Sequence, residues 1–244
     1  GLAWLMMLSF KLLGHKLIPL QALALLLAGI TSLLLFLLGR ALGNSLAGGL
    51  AAALYAGITC FGYEPGMWLE AHTEYPEMAL FTASVLTAVL FVTQLKYGWA
   101  FLSGLFCASA VMMRQNALLL ALFLLFAVGL CLWKEQRRRL PAAVLLALVG
   151  AGAGFAPWII YYSAKGGLHN LWLNSFVLPF GYQASAGPGL IFAQLPFYLG
   201  SYLSQHLVPA VFALLFLLRG GGQTSIASSR TLITIFVFAG LAAA

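Results

Sequence analysis

The run from Ile18 to Leu38, "IPLQALALLLAGITSLLLFLL", constrains this chain more than any other stretch of it. As a helix it is long enough to cross a hydrocarbon core of about 30 Å. Similar runs recur to the end of the chain, so solvent has to be settled before fold. Hydrophobic residues make up 63% of the 244 residues and charged residues 7%, with a mean hydropathy of +1.00. A soluble domain carries about 25% charged residues. A chain of this length has no core that would bury so much apolar surface. The class is therefore all-α, a polytopic helical membrane protein. The net charge of +7 does not point to nucleic acid, because the cations are dispersed and no polar surface is left to form a groove.

Punctuation divides the runs. Residues 1–16 are apolar but broken by Lys11, Gly14, His15 and Lys16, which suits an interfacial helix ending at Gly14. Spans are expected at Ile18–Leu38, Leu46–Gly62, Glu77–Leu95, Trp99–Met113, Ala117–Trp133, Leu140–Tyr162 and Tyr202–Leu218. An eighth begins at Thr231 and is cut off, giving about seven full spans plus a clipped eighth in a single transmembrane domain over residues 1–244. Two segments do not read as spans: an acidic loop at 63–77 and an amphipathic, aromatic segment at 163–200. The opening Gly1 and the apolar close suggest a fragment clipped at both ends. Cys60, Cys107 and Cys131 lie far apart in apolar runs and read as small buried hydrophobes.

Alternating the loops puts Arg40, Lys96, Lys134, Arg137, Arg138, Arg139, Arg219 and Arg230 on one side with a single acid, Glu135. The other side receives Lys11, Lys16, Arg114 and Lys165 with the remaining acids. The positive-inside rule makes the first side cytoplasmic. The acidic loop and the 163–200 segment then face the exterior, and a site would be built there.

The segment "EPGMWLEAHTEYPE" holds Glu64, Glu70, Glu74 and Glu77, four of the five carboxylates. Part of this is ordinary helix chemistry. Thr73 can cap the third span, Glu74 and Glu77 then sit in a first turn where the helix dipole favours negative charge, and Pro76 is tolerated there. Glu70, His72 and Trp68 are left unexplained. The second polar feature is Arg114-Gln115-Asn116. The 15 residues of Trp99–Met113 make only about 22 Å of helix. With Lys96 at the cytoplasmic surface, the three polar residues fall below the opposite one. They either line a wet cavity or let Arg114 snorkel to the headgroups. A cavity holding a carboxylate and a guanidinium suits an anionic amphiphile. Arg binds phosphate in a planar fork, and a carboxylate accepts a proton from a hydroxyl.

Four stretches carry a family resemblance: "FKLLGHKLIPLQALALLLAGITSLLLFLLGRALG", "EAHTEYPEMALFTASVL", "GWAFLSGLFCASAVMMRQNALLL" and "PWIIYYSAKGGLHNLWLNSFVLPFGY". Together they resemble the GT-C superfamily of membrane glycosyltransferases, in the protein O-mannosyltransferase and aminoarabinose-transferase branch. The resemblance covers roughly residues 1–182. It implies a polyprenyl-phosphate-linked sugar as donor, transfer of a hexosyl or pentosyl group, and a glycan, lipid or protein acceptor. It also implies an integral protein of a bacterial cytoplasmic membrane with its site facing the periplasm. On this resemblance Glu74 matches an acidic residue opening a later span, Arg114 matches a basic residue that follows a Gly-rich span, and the stretch from Gly166 to Tyr182 matches an external segment near the lipid donor. Glu70 joins Glu74 as a catalytic candidate, and Gln115 joins Arg114 as a candidate for the donor phosphate. His72, His169 and Tyr182 are candidate substrate contacts. The family's first span and the acidic loop after it have no counterpart, so its principal catalytic acid is expected upstream and the fragment alone inactive.

Other readings stand beside this one. A transporter of an anionic or lipid-linked substrate would also use carboxylates, His and Arg, although here the acids sit in a loop and no repeat of broken helices is visible. A non-catalytic membrane partner subunit is the third. His72 also reads as a loop residue, and His169 and Tyr182 as interfacial anchors. No residue spacing specifies a metal, and a divalent cation stays open as a cofactor. "KEQRRR" reads as a topology signal that can also touch anionic lipid.

Overall fold

Gly14 ends the first helix for a steric reason. In the computed structural model α1 (Leu2–Leu13) closes on Gly14 at φ 89°, and the Gly14 N–H donates to Phe10 O at 2.9 Å. A residue without a Cβ adopts this left-handed conformation freely. The structure describes residues 2–14, 17–61, 74–113, 117–135, 137–173 and 177. Among the described residues there is no strand, as the all-α expectation requires.

α2 (Leu17–Ala41) and α3 (Ser45–Phe61) form a hairpin. Gly43 turns the chain at φ 83°, and Asn44 caps α3, its Oδ1 accepting the Ala47 N–H at 2.9 Å. The two helices touch backbone to backbone at Gly39 and Gly48, where a Cβ on Gly48 would lie 2.7 Å from Phe36 O.

α4 (Glu74–Gln94) is the central post. Of its most apolar stretch 72% is buried, against 17% in α2 and 17% in the helical stretch Arg137–Ala164. α5 (Tyr97–Met113) returns after the two-residue turn Leu95-Lys96, and the pair is stitched by two serines. Ser84 Oγ donates to Ser103 O at 2.8 Å, and Ser103 Oγ donates to Ser84 O at 3.0 Å. In a lipid-embedded bundle such interhelical hydrogen bonds hold helices that have no hydrophobic effect to drive them together.

α6 (Ala117–Glu135) leads through a 3₁₀ turn, Arg137–Arg139, into α7 (Leu140–Ala164) and the short α8 (Leu168–Trp172). α7 packs tightly along α5. Gly104 lies against Ala147, Gly150 against Phe101 O, and Gly154 against Leu105 O and the Ala108 Cβ. At the start of both helices Ala100 and Ala143 share a cluster with Phe91, joined by Trp99 and Leu140. The contacts advance together along both helices, so α5 and α7 run parallel and α6 is the crossover between them.

This arrangement gives the bundle two distinct ends. One gathers the end of α4 with the starts of α5 and α7. Val128 of α6 also packs there. Lys96, the last turn of α6 and Arg137–Arg139 project beyond it, and it is called the basic end. At the other end the first half of α4 (Phe81, Val85), the last turn of α5 (Ala110, Val111) and the first turns of α6 (Ala117, Ala121) form a second cluster. Glu74 opens α4 here, so this is the acidic end.

α2 to α7 coincide within a few residues with the first six expected spans. Among the described residues, Ile18–Ala41, Tyr75–Gln94 and Arg137–Ala164 are long and apolar enough to cross a membrane alone, while the apolar parts of α3 and α5 are shorter. The expected spans at Tyr202–Leu218 and from Thr231 lie outside the described residues. α4 begins at Glu74, so residues 74–77 of the expected loop are already helical.

Candidate functional site at the acidic end of the bundle

The start of α4 is set by local chemistry. Pro76 stands in the first turn, where no intrahelical acceptor is lost, and it is fully buried. Tyr75 and Glu77 are also buried, at 7% and 6% exposure. Glu77 is the unexpected member. Its place in the sequence suggests an acid facing water at a helix start, yet the structure puts it inside and engages it with a neighbouring group. The spacing explains this. Glu77, Phe81 and Val85 recur at four-residue intervals, so they share one helix face. Phe81 and Val85 on that face pack with Ala110, Val111, Ala117 and Ala121 of α5 and α6. That stripe was the signal available in the sequence, and reading Glu77 only as a helix-dipole acid overlooks it.

α5 comes to the same end from below. It has 17 residues, about 26 Å of helix, still short of a hydrocarbon core of about 30 Å. Its last turn is packed, with Ala110 at 0% and Val111 at 5% exposure, and Ala117 at the start of α6 is at 0%. The helix ends on either side of residues 114–116 are thus anchored in the cluster that carries the first half of α4. Arg114 and Gln115 themselves, with Glu70, His72 and Tyr182, lie outside the described residues. Glu74 is described as the first residue of α4. His169 is exposed on α8, which follows α7 at this end. Cys107, a half-buried free thiol, packs against the same cluster, in keeping with its reading as a small hydrophobe. Among the described residues no group of three His, Cys, Asp or Glu side chains is placed to hold a metal ion.

Residues 1–161 match the model of the dolichyl-phosphate-mannose-protein mannosyltransferase family. The chain belongs to this family. The match runs from α1 into the last turns of α7. It takes in Glu70, His72, Glu74, Arg114 and Gln115 and ends before His169 and Tyr182. No curated relative and no solved structure matches the chain. Family membership makes the protein an integral membrane glycosyltransferase of GT-C type. Such enzymes in general take the sugar from a polyprenyl-phosphate donor and pass it to a protein or glycan acceptor.

Proposed function

We propose that this protein moves a sugar, a hexose or pentose, from a polyprenyl phosphate to an acceptor hydroxyl at the external face of the membrane, with the acidic end of the bundle as the site. One observation carries the proposal. The antiparallel α4–α5 hairpin sets the start of α4 and the end of α5 at one end, and the parallel pairing of α5 with α7 sets Arg137–Arg139 with Lys96 at the other. The positive-inside rule then turns the acidic end outward.

The chemistry follows from the residue types. The acceptor oxygen attacks the anomeric carbon, the bond from that carbon to the phosphate oxygen breaks, and the polyprenyl phosphate leaves with the bonding pair. Glu74, assisted by Glu70, positions the acceptor and takes its proton, or orients the group that does. Arg114, beside Gln115, binds the phosphate and offsets the charge that grows on the leaving oxygen. His72, His169 and Tyr182 are proposed contacts for sugar or acceptor.

Cysteine labelling tests the orientation. With single cysteines on a Cys-free background, a membrane-impermeant maleimide added outside should reach position 72 and leave position 136 unmodified. Labelling at 136 alone would place the site on the other face and overturn the proposal.

A further inference from the structure

The basic end carries more organisation than a topology signal requires. Three consecutive arginines open α7, and no acidic residue stands in that helix's first turn. Their charge adds to the positive end of the helix dipole instead of opposing it. Two of the three are held in place. Arg139 Nη1 donates to Leu95 O at 3.5 Å, tying the start of α7 to the α4–α5 turn beside Lys96. The Arg137 guanidinium lies 4.1 Å over the Trp133 ring, tying the same turn to the end of α6. Arg138 and Lys96 are exposed between these ties.

The aromatic residues at this end set its depth. Trp133 is 54% exposed and Tyr97 38%. Trp99 Nε1 donates to Gln94 Oε1 at 3.1 Å. Trp and Tyr with one apolar and one polar edge settle at the headgroup level of a bilayer. Lys96, Arg137 and Arg138 are therefore held in the headgroup layer on two chain segments, the α4–α5 turn and the turn before α7, fastened to each other and to the end of α6.

We propose that Lys96, Arg137 and Arg138 form a docking surface for the phosphate headgroups of anionic phospholipid, steadied by Arg139 on Leu95 O and by Trp133 beneath Arg137. The surface lies at the opposite end of the bundle from the glycosyltransfer site and is independent of it. Each cation near an anionic membrane surface strengthens binding about fivefold, so three together give a preference on the order of 100-fold.

The test uses the full-length protein in nanodiscs of phosphatidylcholine with a graded fraction of phosphatidylglycerol, with bound lipid counted by native mass spectrometry. Wild type should retain phosphatidylglycerol over phosphatidylcholine. Lys96→Gln/Arg137→Gln/Arg138→Gln should lose the preference by about 100-fold while its helical circular dichroism in pure phosphatidylcholine is unchanged. If the triple variant fails to fold, Arg138→Gln alone, at an exposed position, should lose about fivefold. Lys165→Gln, at the other end of α7, should leave the preference intact. Equal retention of both lipids by wild type, undiminished preference in the variants, or an equal loss in Lys165→Gln would overturn the proposal. So would displacement of the lipid by millimolar inorganic phosphate, which would mark a site for free anions and not a lipid surface.

Discussion

The seam between α5 and α7 places Arg137–Arg139 at the opposite end of the bundle from the start of α4, and glycine makes it possible. Replacing Gly150 by alanine places a methyl against Phe101 O, a backbone atom of a packed helix that cannot rotate away. Replacing Gly104 does the same against Ala147 O. Gly154 is less extreme, with its added Cβ 2.6 Å from Leu105 O and 3.0 Å from the Ala108 Cβ, so a shift of several tenths of an ångström is needed. Gly152, on the same helix, meets nothing within 4 Å and is the internal control. Glycine to alanine in a helix interior gains up to about 1 kcal/mol in propensity. Forcing a methyl into a packed contact costs about 1–3 kcal/mol, more where backbone must move. Gly152→Ala should therefore melt at or slightly above wild type, Gly154→Ala close to it or below, and Gly104→Ala and Gly150→Ala several degrees lower. Thermal unfolding of the detergent-solubilised variants measures this order. Equal melting of Gly150→Ala and Gly152→Ala would mean that the two helices do not touch along this face, and the placement of the site would lose its support.

Other expectations rest on single groups. Ser84→Ala together with Ser103→Ala removes two interhelical hydrogen bonds and should lower stability by about 1–2 kcal/mol, while neither of the exposed-face changes Leu145→Ala or Leu148→Ala matches that loss in detergent. Arg114→Lys keeps the charge but loses the planar fork, so partial donor binding should remain, whereas Arg114→Gln should leave little. Titration of a fluorescent polyprenyl-phosphate analogue separates them, and equal affinity in both variants would remove Arg114 from the phosphate site.

The helix boundaries were legible because small residues mark them physically. Gly14 and Gly43 with Asn44 each end or start a helix through a left-handed conformation or a cap that few residues supply, whereas at the Leu95-Lys96 turn Leu95 takes φ 56° without being glycine. The centre of the bundle was harder to see. α4 is the least hydrophobic of the three long spans, with a hydropathy of 1.6 against 2.5 and 2.0, yet it is the most buried. In water the innermost helix is the greasiest. In lipid the outer helices meet hydrocarbon, and the inner one can keep Ser84, which donates to Ser103 O of α5, and Thr87, whose hydroxyl donates to Ala83 O and Ser84 O of its own helix. The same inversion hides Glu77, an acid that looks exposed by its position in a first turn and is buried because its stripe faces α5 and α6. The parallel pairing of α5 and α7 left only a trace in the sequence, the glycines at 150 and 154, since periodicity reports which face is small but not which helix lies against it.

The central claim is that a membrane glycosyltransferase works at the end of the bundle where α4 begins, and Glu74 tests it most directly. Sugar transfer from a radiolabelled polyprenyl-phosphate donor should be measured in the full-length protein and its Glu74→Gln variant, with expression and melting followed in parallel. As a cap to the helix dipole alone, Glu74 contributes at most about 1 kcal/mol of stability and nothing to turnover. As a group that positions or deprotonates the acceptor, its loss should lower transfer about 100-fold or more with the fold unchanged. Normal turnover in Glu74→Gln would contradict the account and leave the start of α4 as a structural feature of the helix.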